Sequence, residues 1–116
     1  MQASTEQHWT WNQFLGWAFG GGRLTEIARD IHDAALRARY ICDVPADATV
    51  RAELTRNLAG IARHAERLQL DPEAALARRT LRVLHGAAPD LADVSEGCDA
   101  LERIVTEQQA HEAALT

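Results

Sequence analysis

Between Leu24 and Leu68 the apolar residues recur in steps of three and four: Leu24, Ile27, Ile31, Ala35, Ala38 and Ile41, then Val50, Leu54, Leu58, Ile61, Ala65 and Leu68. That spacing stacks side chains on one face of a 3.6-residue helix and predicts two amphipathic helices. Asp43-Val44-Pro45-Ala46-Asp47 interrupts the pattern with a proline, and Asp47 is placed to cap the second helix. So short a connection makes the two helices antiparallel neighbours, a central hairpin over residues 24–69.

Helical patterns flank the hairpin on both sides. Asp71-Pro72-Glu73 offers an N-cap, a proline at the first helical position and a first-turn carboxylate, so a helix is expected over 72–85 with Gly86 as its C-terminal cap. Arg78, Arg79 and Arg82 make its outer face basic. A last helix over 90–114 carries a heptad seam through Leu91, Val94, Cys98, Leu101, Val105, Gln108, Glu112 and Leu115 that becomes polar toward its end. At Ser95-Glu96-Gly97 a kink or break is the alternative to one continuous helix. Before the hairpin, Ser4 and Gln7 have the spacing of a capping box for a helix over 5–19, ended by Gly20-Gly21-Gly22. The expected fold is an all-α, single-domain bundle of four to five helices covering 1–116.

The first of these segments holds all three tryptophans and both phenylalanines of the chain. At about 100° per residue, Trp9, Trp11, Phe14, Trp17 and Phe19 scatter around the helix, so no single packing surface covers them. Either the segment is clamped across the bundle or it meets a second copy or another protein, with Trp9, Trp11, Phe14 and Trp17 as the contact residues.

Composition narrows the functions open to such a bundle. A chain of 116 residues with 47% hydrophobic side chains can close one core without metals or crosslinks. A net charge of -5 argues against duplex nucleic acid as a partner. All 12 Lys/Arg positions are arginine, so chemistry that needs a lysine nucleophile or a phosphate-loop lysine is excluded, and the glycine run reads as a turn. Cys42 and Cys98 both fall on apolar stripes and are expected to act as small hydrophobes rather than a disulfide. No leader or membrane span is evident, which predicts a cytoplasmic protein.

Candidate chemistry is sparse. Glu26, Asp30 and Asp33 share one helix face, either as a solvated surface or as oxygens for a divalent cation. Glu53, Asn57, Gly60 and His64 flank the second apolar stripe and are placed either to floor a pocket or to satisfy a helix contact. Arg79 and His85 have a spacing used for RNA cleavage, which the acidic chain disfavours. Ser4 and Ser95, the only serines, cannot be tied to a histidine.

Arg51-Ala52-Glu53-Leu54-Thr55-Arg56-Asn57-Leu58, followed by Ala65 to Ala75, resembles the second half of MazG-like nucleoside triphosphate pyrophosphohydrolases. Leu24-Thr25-Glu26-Ile27-Ala28 looks like that family's first motif, and the resemblance covers about residues 23–80. It implies an all-α, oligomeric, magnesium-dependent enzyme with Glu26 and Glu53 as catalytic residues and Glu26, Asp30 and Glu53 near the metal. Arg23 and Arg56 stand where two further metal ligands would be, with Asn57 one place late, which points to a degenerate site. Taken together, the residues favour a non-catalytic interaction or regulatory protein forming a homodimer without a cofactor. A MazG-like hydrolase, complete or degenerate, is the alternative.

Overall fold

A computed structural model describes residues 22–115. The expected aromatic helix over 5–19, with Trp9, Trp11, Phe14 and Trp17, lies outside the described residues. A short 3-10 turn, Gly22–Leu24, leads into α1 (Thr25–Asp43), α2 (Ala48–Arg67), α3 (Asp71–Leu84) and α4 (Leu91–Leu115). Each helix packs against its neighbours in the chain, and α4 closes the ring against α1.

Side-chain contacts give the directions. Along the α1/α4 seam, Arg23 meets Glu112, His32 meets Glu102, Arg39 meets Asp99 and Cys42 meets the Leu91 carbonyl, so the numbers run in opposite senses. Arg78 with Glu66 and His85 with Thr55 show the same for α2 and α3. Over the described residues the result is an all-α, up-down-up-down four-helix bundle. These ion pairs are exposed or half-exposed, and pairs of that kind contribute about 0–1 kcal/mol each. What holds the ring is the apolar interior: Leu24, Ile27, Ile31, Ile41, Leu54, Leu58, Ile61 and Leu101 are all 0% exposed. Burial of one such side chain is worth about 1.5–3 kcal/mol. Among the described residues the hydrophobic core is aliphatic, with Cys98 as its one sulfur and no aromatic ring.

The turns between helices are set by local bonds. Asp47 caps α2, its Oδ1 accepting from the Val50 N–H at 3.1 Å while Oδ2 accepts from the Tyr40 hydroxyl at 2.8 Å. Those two donors, the Val50 N–H foremost, hold the Asp47 carboxyl below the usual carboxylate range. At the next turn Leu68 is the C-cap of α2, and Gln69 takes φ +60°. The Leu70 N–H bonds the Ala65 carbonyl at 2.8 Å and the Gln69 N–H bonds the Glu66 carbonyl at 3.1 Å, a Schellman turn built on glutamine where glycine is usual. As a consequence α3 starts one residue earlier than expected, and its N-cap is Leu70 rather than Asp71, with no side-chain cap bond.

Two further expectations are corrected, and the alternative left open at Gly97 is decided. Gly86 does not close α3 in a left-handed turn; His85 is the C-cap, and tightened bonds to Leu81 and Val83 finish the helix. Cys42 is exposed, because Ile41 takes the buried position at the end of α1 and the next residue is turned about 100° away. Gly97 does not break α4, which runs through Leu91–Leu115 as one helix capped by Asp90. A Cβ at position 97 would overlap Thr80 Oγ1 and lie 3.1 Å from Thr80 Cγ2, so the glycine is there to let α3 approach α4. Thr80 is itself buried and donates to the Leu76 carbonyl at 2.8 Å, which leaves it little room to give way.

Gly97→Ala is therefore expected to destabilise the fold by about 1–3 kcal/mol, the usual range for overpacking a core. In a chemical denaturation cycle, Thr80→Ala should recover a large part of that loss; strictly additive effects would show that the two positions do not meet. The thiols supply an independent check. Burial pushes the Cys98 thiol up to about 12, so a disulfide-exchange reagent near pH 8 should titrate Cys42 at once and Cys98 only after denaturation.

Candidate functional site

The polar flank expected on α2 opens on a groove between α1 and α2. Asp30 and Arg37 come from α1; Glu53, Arg56, Asn57 and Gly60 come from α2, around a space of about 260 Å³. Asp30 and Arg37 are seven residues apart, two helical turns, and so share the α1 face that looks across the groove. Gly60 sits mid-helix in α2, where glycine costs about 1 kcal/mol against alanine. A Cβ there would meet nothing within 4 Å, so packing does not demand the glycine; it leaves the groove floor open.

Arg37 organises the site. Its Nη1 donates to Asn57 Oδ1 at 2.7 Å, and its Nε lies 3.5 Å from Glu53 Oε1. Asp30 is half-buried, and desolvation pushes its carboxyl above the usual range, opposed by the nearby His64 and reinforced by Glu26 and Asp33. The groove thus places two carboxylates against two guanidinium groups. Such a set can recognise a polar ligand or lock two helices in register.

It does not fit a magnesium centre. Hard cations need several oxygens at about 2.0–2.6 Å. Among the described residues no group of three or more His, Cys, Asp or Glu side chains is placed to hold a metal ion. Glu26 is exposed on the outer surface of α1, while Glu53 is engaged by Arg37 and Arg56 lines the same groove.

The other sequence candidates separate. Arg79 reaches Asp93 on α4 at 3.2 Å, whereas His85 Nε2 meets Thr55 Oγ1 on α2 at 3.3 Å, so the spacing suggestive of RNA cleavage is divided between two helix contacts. The carboxylate face of α1 is mixed: Glu26 and Asp33 are exposed, Asp30 turns to the groove. Residues that sequence reasoning passed over matter more. Arg37 was recoverable from its seven-residue offset to Asp30. Leu36, Tyr40 and Val44 form a second apolar stripe, in steps of four, beside the buried one, and they are 48%, 44% and 40% exposed.

Asp30→Asn gives the groove a test. Because the folded protein holds the Asp30 proton more tightly than the unfolded chain, this group favours the fold at low pH, and that contribution is lost as pH rises through its raised value. The amide variant is expected to melt slightly higher than wild type at pH 7, with the difference vanishing toward pH 3–4. Equal melting across that range would mean that Asp30 is fully solvated.

No protein-family model, curated protein or solved structure matches this chain.

Proposed function

We propose that this chain is a non-catalytic helical-bundle interaction protein that acts as a homodimer, joining α1 outer faces and the aromatic residues that precede Gly22. The observation that carries the reading is the exposed stripe of Leu36, Tyr40 and Val44. Tyr40 stands at its middle, so an antiparallel two-fold contact sets Tyr40 against its own copy and Leu36 against Val44 of the other, a self-complementary pattern. At their exposures the three side chains offer roughly 250 Å², against the roughly 800 Å² that each partner of a stable complex buries. The missing area is available in Trp9, Trp11, Phe14, Trp17 and Phe19, since each aromatic buries about 150–250 Å².

A magnesium-dependent nucleotide pyrophosphohydrolase of the MazG-like kind is the second reading, kept by the placement of Glu53 and Asn57 in one groove of an all-α bundle. Arg37 weakens it, because a guanidinium occupies the carboxylate that this chemistry gives to a metal.

Sedimentation of the full chain over a range of concentrations separates the readings. The expected result is a monomer-dimer equilibrium that Leu36→Glu with Val44→Glu, or Trp11→Ala with Trp17→Ala, shifts at least tenfold toward monomer while helical content stays unchanged. A wild-type chain that remains monomeric at high concentration overturns the proposal. Magnesium-dependent hydrolysis of nucleoside triphosphates that is lost in Glu53→Gln would put the second reading in its place.

A further inference from the structure

Glu73 is the only fully buried carboxylate among the described residues, at 0% exposure. It stands at the third position of α3, where a glutamate ordinarily turns back to the N-cap N–H. Here that N–H, on Leu70, is already bonded to the Ala65 carbonyl, so the carboxylate turns inward instead. Its one bond is from Gln108 Nε2 on α4, at 3.3 Å. Glu73 Oε2 and Gln108 Oε1 are both buried without a hydrogen-bond donor among the described residues. Leaving a buried acceptor unmet costs about 1–3 kcal/mol, and more when the group is charged. An apolar pair would be cheaper, since Gln108 occupies a seam position of α4 that continues Leu101 and Val105.

Gln108 also lines a cavity of about 420 Å³ at this end of the bundle, and so stands between that space and the Glu73 carboxylate. Leu70 and Ile104 give the cavity apolar walls, Glu107 adds a further carboxylate and His111 an imidazole. The Arg23–Glu112 pair, at 2.9 Å, closes one side with its charges mutually satisfied. Two unmet acceptors, an excess of negative charge and an aliphatic wall call for a ligand that brings N–H donors, a positive charge and a short hydrocarbon body.

The geometry points to a binding site for a primary ammonium ligand, with Glu73 as its counter-ion and Gln108 as a gate. Gln108 has one long bond to give up. Its rotation toward the cavity exposes both oxygens of Glu73, and an ammonium group replaces a 3.3 Å neutral contact with charge-assisted bonds of about 2.8 Å. The other N–H donors of the ammonium serve Glu107 and water, while the alkyl body covers Leu70 and Ile104.

The test uses the full-length protein with n-butylammonium chloride, and tetramethylammonium chloride at equal ionic strength as the cation without N–H donors. Butylammonium is expected to raise the melting temperature in a saturable way, with a Kd on the order of 1 mM for so small a probe. Its methyl and methylene protons should give intermolecular NOEs to Leu70 and Ile104. Tetramethylammonium should do neither. Glu73→Gln is expected to weaken butylammonium binding at least tenfold while keeping the protein folded, since its new amide can donate to Gln108 Oε1. Gln108→Ala removes the gate and should retain or strengthen the response, which keeps the test informative if the first variant does not fold. Absence of a saturable effect on wild type, an equal effect of tetramethylammonium, undiminished binding by Glu73→Gln, or NOEs to other parts of the bundle each overturns the proposal.

Discussion

The α1 helix has to bury its apolar stripe against two partners at once, and the ring depends on that. Leu24, Ile27, Ile31, Ala34, Ala35, Ala38 and Ile41 make a face too broad for α2 alone to cover. The half left by α2 is covered by α4, which must return antiparallel along its whole length to do so. That requirement places α3 as the spacer that brings the chain back, and it explains why α3 can be the shortest of the four helices while α4 is the longest. Small residues let the helices come close: alanines punctuate the α1 stripe, and Gly97 admits Thr80.

Against this aliphatic background the buried and half-buried polar groups stand out as departures. Arg37 sits between α1 and α2 and ties Glu53 and Asn57 into one network, so the same residue that fixes helix register also neutralises the groove. Glu73 departs further, because a carboxylate held by one long amide bond weakens the seam it occupies. Burial of ionic groups at such cost is familiar where a charge selects a partner or a ligand, and the two places here lie between different helix pairs, α1 with α2 and α3 with α4. One is satisfied internally; the other is not.

How far the sequence discloses this arrangement depends on the kind of signal. The helices follow from periodicity, because steps of three and four in Leu24–Ile41 and Val50–Leu68 have only one regular interpretation. Asp47 announces its cap through residue type alone. Gln69 does not, since nothing in glutamine marks a left-handed position; the Schellman bonds and the inward turn of Leu70 impose it. Glu73 was hidden by its own setting: an acid in the first turn after Asp71-Pro72 reads as a solvated dipole partner, and only the loss of the Leu70 N–H to another bond turns it inside. Gly97 is ambiguous for a similar reason, because a helix glycine that breaks and one that admits a neighbour look alike until the opposing Thr80 is known. The outer stripe of Leu36, Tyr40 and Val44 was masked by the stronger buried one running alongside it.

The aliphatic core has an optical consequence. Every tryptophan of the chain lies before Gly22, and none belongs to the four described helices. Indole emission therefore reports on one segment and its surroundings, while far-ultraviolet ellipticity reports on the bundle. Tyr40, the sole tyrosine, sits on the outer stripe of α1, in position to act as an energy donor to any indole brought against that face. Denaturation followed by both signals therefore compares the segment before Gly22 with the helices after it, without a label.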